Sequence, residues 1–140
     1  MEEFDELMPT PDADGRLELS HRAWQHVDEV VWTMGLEITA LSLAYNRLAH
    51  IAPELGDLKL LRELDCSCNK LQALPAKIGA LRQLRKLKCN GNSLEHLPDE
   101  IGQCRQLEEI ICSENKLVAL PRALGTCKKL RILLAQNNSL

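Results

Sequence analysis

Aliphatic residues return along this chain at one fixed interval. Leu41, Leu64, Leu87, Ile110 and Leu133 stand 23 residues apart, and so do Leu48, Leu71, Leu94, Leu117 and Leu140. A third column holds Ile51, Leu74, Leu97 and Leu120. Glycine fills positions 56, 79, 102 and 125, and asparagine fills 46, 69, 92, 115 and 138. Four complete units, residues 38–60, 61–83, 84–106 and 107–129, align without a gap, and a truncated fifth follows at 130–140. In each unit an alternation of leucine and variable residue puts two aliphatics on one face of a short strand. One strand per unit, always running the same way, predicts a parallel sheet on the concave face of an α/β solenoid, a horseshoe.

The polar columns have structural reasons. After each strand the chain turns inward, where its backbone groups cannot reach water. An amide side chain carries both a donor and an acceptor, so Asn46, Asn69, Asn92, Asn115 and Asn138 are predicted to satisfy those groups as a ladder. The Leu-Pro steps at 74–75, 97–98 and 120–121 open short helical or 3-10 turns on the convex face. In the first unit Ala52 holds the proline position and Pro53 follows, so a slightly different turn is expected there. Glycine is expected to supply the backbone freedom for the return to the next strand.

The ends differ from the middle. Residues 16–37 read as a degenerate capping repeat. Leu17 and Leu19 match the strand, Arg22 sits in the asparagine column, and Trp24 in the leucine column after it, with 24 rather than 23 residues between Arg22 and Asn46. Residues 26–35 predict a short amphipathic helix ending at Gly35. Trp24, Trp32 and Met34 are placed over the open end of the core. Residues 1–15 hold Glu2, Glu3, Asp5, Glu6, Asp12 and Asp14 with two prolines and are expected to form an acidic, disordered tail. At the other end Leu130, Leu133, Ala135 and Leu140 form an uncapped edge. Three explanations stay open: a fragment of a longer array, pairing with another copy or partner, or simple tolerance.

The pattern L-x-x-L-x-L-x-x-N-x-L followed by L-P-x-x-I-G-x-L resembles the leucine-rich repeat family over residues 38–140. The unit is similar to the 23-residue typical class of intracellular Ras-suppressor and Shoc-type scaffolds and plant Ras-group relatives. That resemblance implies a protein-interaction scaffold. It also leaves open a regulatory N-terminal part of a larger signalling protein associated with a kinase, GTPase or ubiquitin ligase.

Composition narrows the rest. Hydrophobic residues make up 45% of the 140, and 17 Lys and Arg against 20 Asp and Glu give a net charge of −3. No apolar run reaches the ~18 residues of a membrane span, and no secretory signal is visible. Of six cysteines, Cys66, Cys89 and Cys112 share one core column and Cys104 and Cys127 another, which makes them small buried hydrophobes. Cys66 falls in a core column and Cys68 in an exposed one, so the two are not expected to chelate together. Only Cys68 falls in an exposed column. Reduced thiols fit a cytoplasmic location. His21, His26, His50 and His96 form no nucleophile–base pair, and the motifs of phosphate, dinucleotide and zinc-protease sites are missing, so no enzyme, metal or cofactor is expected. Arg85, Lys86 and Lys88 are too few, and too closely flanked by acids, for nucleic acid. Membrane contact is not expected either.

Function then falls to the variable concave positions. These read Ala40, Glu63, Lys86, Glu109 and Ile132 in one column and Ser42, Asp65, Lys88, Ile111 and Leu134 in the next. Acid, base and acid alternate by repeat, and the surface turns apolar at Ile111, Ile132 and Leu134. Exposed aliphatics in a cluster mark a contact surface. Tyr45, Glu63, Asp65, Lys86, Lys88, Glu109, Ile111 and Leu134 are the candidate partner-binding residues, with self-association through the C-terminal edge as a further expectation.

Overall fold

The structure is a computed structural model that describes residues 8–140. Six three-residue strands form one parallel sheet in sequence order: β1 (Arg16–Glu18), β2 (Ala40–Ser42), β3 (Glu63–Asp65), β4 (Lys86–Lys88), β5 (Glu109–Ile111) and β6 (Ile132–Leu134). Between them lie five-residue 3-10 turns, Glu29–Thr33, Pro53–Asp57, Ala76–Ala80, Asp99–Gln103 and Arg122–Thr126. Pairing is residue for residue from one repeat to the next, as in Leu41↔Leu64, Leu64↔Leu87 and Leu87↔Ile110. The result is the solenoid that the 23-residue period predicts. One continuous aliphatic core runs through it, with Leu41, Leu64, Leu87 and Ile110 all essentially inaccessible.

The asparagines tie each repeat to the one before. Asn115 accepts at Oδ1 from the Leu94 amide at 3.0 Å and donates from Nδ2 to the carbonyls of Cys89, Cys112 and Ser113 at 3.0–3.1 Å. Asn69 makes the equivalent bonds to Leu48, Leu43, Cys66 and Ser67, and Asn92 to Leu71, Cys66, Cys89 and Asn90. Asn138 reaches Leu117, Cys112, Ala135 and Gln136, so the last turn is held the same way. Asn46 reaches back into the cap, accepting from the amides of Arg22 and Trp24.

The proline column does not open the 3-10 turns from inside. Pro75, Pro98 and Pro121 are extended residues immediately before the turn, with φ near −67° and ψ near 140°. In the first unit Pro53 is the first residue of the turn and Ala52 takes the extended position. The turn itself is unchanged, because a proline ring fits both places.

The glycine column serves packing, contrary to the expected backbone freedom. None of Gly56, Gly79, Gly102 and Gly125 has a positive φ. A Cβ on Gly102 would stand 2.6 Å from the Ala123 carbonyl oxygen of the next repeat, closer than such contacts ever come. Gly125 occupies the same position in the last turn, and a Cβ there would meet nothing within 4 Å.

At the N-terminal end β1 pairs with β2 and extends the sheet into the cap. The extra residue between Arg22 and Asn46 is absorbed between the 3-10 turn and β2, where the Ile38 amide bonds back four residues to Met34 while its counterpart Leu61 bonds back three, to Leu58. The expected amphipathic helix is a single 3-10 turn, Glu29–Thr33, ended at Met34. Asp28 caps it by accepting from the Val30 amide at 3.0 Å. Trp32 is buried against the core and Trp24, Val27 and Met34 are partly so. Of the segment expected to be disordered, residues 1–7 lie outside the described residues. Residues 12–16 form a turn in which the Asp12 carboxylate accepts from the Asp14 and Arg16 amides at 2.8 and 3.0 Å. Those bonds hold the Asp12 pKa below its ordinary value. At the other end β6 pairs, among the described strands, with β5 alone, and Leu133, in a core column, is 38% exposed.

Two outcomes follow for stability. Gly102→Ala forces two repeats apart and is expected to cost about 2 kcal/mol in urea unfolding, whereas Gly125→Ala stays within roughly 0.5 kcal/mol of the parent. Asn115→Ala leaves several buried backbone groups without partners and is expected to cost roughly 3 kcal/mol. Equal effects of the two glycine changes would show that the column is conserved in shape for another reason.

Candidate functional site

The in-register strands decide what the concave face presents. Side chains that alternate with the core leucines point inward to the hollow of the solenoid, and equivalents in neighbouring strands stand about 4.8 Å apart. Register places Arg16, Ala40, Glu63, Lys86, Glu109 and Ile132 in one file. Glu18, Ser42, Asp65, Lys88, Ile111 and Leu134 make the second. The candidate residues Glu63, Asp65, Lys86, Lys88, Glu109, Ile111 and Leu134 therefore lie together on one continuous surface. Arg16 and Glu18 belong to it as well. They escape a reading at strict 23-residue steps because the cap is offset by one residue.

Most charges on this surface are spoken for. Lys88 Nζ lies 3.7 Å from Asp65 Oδ2, and Lys86 Nζ lies 3.9 Å from Glu109 Oε1. Arg16 reaches across Ala40 to Glu63 at 3.7 Å. Arg131 contacts Glu108 at 3.6 Å and Glu109 at 3.1 Å. Asp65 also accepts from the Ser67 hydroxyl at 2.6 Å. Pairs this exposed contribute at most about 1 kcal/mol each. Their effect is to make the N-terminal two thirds of the face a nearly neutral mosaic. Small side chains at Ala40 and Ser42 leave a shallow depression of about 290 Å³ between the walls of Arg16 and Glu18 on one side and Glu63 and Asp65 on the other.

The apolar end is different. Ile111 and Leu134 are register partners, Leu134 is 42% exposed, and Ile132 lies one strand on from Glu109. No fold requirement places three aliphatics on this face, since the core is already filled by Ile110, Leu133 and their equivalents.

Tyr45 stands apart from these files, at the edge of the face. It belongs to a column in which the backbone is left-handed at every repeat: Tyr45 at φ 56°, Cys68 at 57°, Gly91 at 70°, Glu114 at 56° and Asn137 at 60°. Such a conformation costs a residue other than glycine about 1 kcal/mol or more. Gly91 and Asn137 are the signal in the sequence that could have revealed it. The Tyr45 ring is 54% exposed and stacks on His21, centroids 4.6 Å apart and planes 8° from parallel. A hydrogen bond with the Cys68 side chain is the main cause of a raised tyrosine pKa. In the neighbouring column Asn90 Oδ1 is buried without a hydrogen-bond partner, the one such side-chain atom among the described residues.

Among the described residues no group of three or more His, Cys, Asp or Glu could hold a metal ion. Cys66, Cys89, Cys104, Cys112 and Cys127 are buried and free, while Cys68 is half-exposed. Burial pushes the Cys66 and Cys104 thiols up to about 12 and Cys112 to about 11. A thiol with a raised folded pKa stays protonated in the native state, so its contribution is constant below the unfolded value near 9 and is lost as pH rises from there toward 12. Titration with an aromatic disulfide reagent at pH 8 is expected to find one fast thiol in the native protein, removed by Cys68→Ser, and six after denaturation. Two or more fast native thiols would mean the core opens readily.

The likeness to known proteins agrees with this architecture. The sequence model described as a leucine-rich repeat region matches residues 34–139. A search of curated proteins finds no match. Among solved structures, a leucine-rich repeat protein of Leptospira interrogans is similar at 31% identity and a TM-score of 0.80 over 87% of this chain. The PEPR1–AtPEP1 structure is similar at 30% identity and 0.78, also over 87%. An internalin of Listeria monocytogenes shares the fold at 18% identity and 0.74 over 88% of this chain. The chain spans 31%, 18% and 34% of those three proteins, respectively. By its repeat, its sheet and these matches, the chain belongs to the leucine-rich repeat family.

Proposed function

We propose that this chain is a non-catalytic module that recognises a protein or peptide partner on its concave face. The observation that carries the reading is the trio Ile111, Ile132 and Leu134, partly exposed aliphatics on a surface otherwise made of internally paired charges. Covering one such side chain is worth about 1.5–3 kcal/mol, whereas a paired surface charge adds little net affinity. The trio is the anchor in this scheme. Glu63, Asp65, Lys86, Lys88 and Glu109 set the partner's register by re-pairing with it. Tyr45, stacked on His21, offers a flat contact at the edge. The rigid sheet loses little entropy on binding. The PEPR1–AtPEP1 structure, similar in fold and named for two components, supports a binding role.

The same reading puts the chain among the intracellular, Ras-suppressor-like members of the family and in the cytoplasm. Its 23-residue unit and six free thiols support that placement.

A displayed random-peptide library selected on the full chain tests the proposal. Selected peptides are expected to lose at least roughly tenfold in affinity to Ile111→Asp with Leu134→Asp. Lys86→Glu with Lys88→Glu should also abolish capture while the melting temperature stays within a few degrees. Lys77→Glu, on the convex turn, should change nothing. Peptides that bind all three variants alike, or lose binding only to Lys77→Glu, would move the site off the concave face.

A further inference from the structure

Read at 23-residue steps, positions 36, 59, 82, 105 and 128 hold Leu36, Lys59, Arg82, Arg105 and Lys128. All five are solvent-exposed. They lie just after the 3-10 turns, on the flank where the chain enters its strands, away from the concave files. Among the described residues none of the four cations has a carboxylate partner, in contrast to the paired charges of the concave face. Three positions further on, Arg62 and Arg85 are likewise exposed and without a carboxylate partner among the described residues. Across residues 57–62, 80–85, 103–108 and 126–131 the acids are Asp57 and Glu108, and Glu108 is engaged by Arg131. Glu37 stands beside Leu36 at the N-terminal end of the file.

Folding does not account for this column. The position is free of the core, and like charges stacked at repeat spacing repel one another. Because the strands pair without stagger, the four cations emerge as a file roughly 15 Å long. The concave and convex faces of a solenoid are curved, but its flank is the side that can lie against a plane. Leu36, 85% exposed and the most exposed large hydrophobic side chain among the described residues, ends the file. An apolar tip beside a row of guanidinium and ammonium groups matches the boundary of a bilayer, with charges at the phosphates and the leucine at the acyl edge. No aromatic ring in the file offers a base a stacking surface.

We propose that this flank docks peripherally on an anionic lipid bilayer. The proposal departs from the expectation of no membrane contact. That expectation rested on the absence of a spanning segment, which holds among the described helices but has no bearing on a surface contact. It is independent of the concave-face reading, since the two use different residues.

Cosedimentation of the full chain with vesicles tests it. Vesicles of phosphatidylcholine containing about 30 mol% phosphatidylserine are expected to carry the protein down, and pure phosphatidylcholine is not. Binding should fall steeply as salt rises from about 0.05 to about 0.5 M. Arg82→Glu with Arg105→Glu should lower the partition coefficient roughly tenfold or more, and Leu36→Asp several-fold. Ile111→Asp should leave it unchanged. Circular dichroism monitors folding, and Arg82→Gln gives a milder variant if the double one unfolds. Equal binding to both vesicle types, no binding to either, or binding insensitive to both ridge variants would overturn the proposal. So would ridge-dependent binding to poly-L-glutamate without vesicle binding, which would make the flank a site for acidic polypeptides.

Discussion

The structure depends on one recurring obligation, that backbone polar groups turned toward the core be satisfied there. Each strand is three residues long, too short to hold a sheet together by its ladder alone. After it the chain bends inward and leaves amides and carbonyls with no access to water. The asparagine amide meets the need from both sides, taking an N–H from the preceding repeat and giving its own hydrogens to carbonyls of two repeats. Neutral–neutral hydrogen bonds contribute about 1 kcal/mol each, but leaving such groups unpaired would cost more. That asymmetry explains why the column is unbroken from Asn46 to Asn138. Arg22, in the cap, departs from the column, and its guanidinium lies over Trp24 at 5.9 Å.

Repeat spacing follows from that bond and propagates outward. With the asparagine fixing the distance between turns, the convex segments are brought so close that Gly102 meets the next repeat's backbone. The cysteines Cys66, Cys89 and Cys112 take a core column where Leu43 stands in the first unit, filling smaller space as the aliphatic neighbours allow. Burial then declines along the last repeat, where Leu130 and Ala135 are only partly covered and Leu140 is exposed. Stability in such an array is a sum of neighbour interfaces, and among the described strands β6 has the single neighbour β5.

How much of this was legible in the sequence depended on whether a period carried it. The strands, their register, the core columns and the asparagine ladder all repeat at 23, and all are found where the period puts them. The concave files were legible for the same reason. What escaped was either aperiodic or physically ambiguous. Arg16 and Glu18 were hidden by one extra residue in the cap. The left-handed column was hidden because Tyr45, Cys68 and Glu114 are poor residues for that backbone, and only Gly91 and Asn137 betray it. Glycine at 56, 79 and 102 was recognised, but a sequence does not distinguish a need for unusual φ from a need for a missing Cβ. Ion pairing was likewise beyond reach, because it depends on how Lys86, Lys88 and Arg131 choose among several acids within range.

The basic flank is periodic, yet net charge conceals it. A net charge of −3 averages over the chain and hides a column of one sign. Averaging fails here because a solenoid sorts residues by repeat position onto separate faces, each of which meets solvent or a partner by itself. On the concave face, positive and negative side chains alternate from β3 to β5 and neutralise one another across a strand spacing. On the flank they do not alternate, so the potential of successive repeats adds. Selection for fold is indifferent to both arrangements, since exposed charges move stability by tenths of a kcal/mol. A column that keeps its sign through four repeats without any help from the core therefore points outward, to something the flank meets rather than to something it holds together.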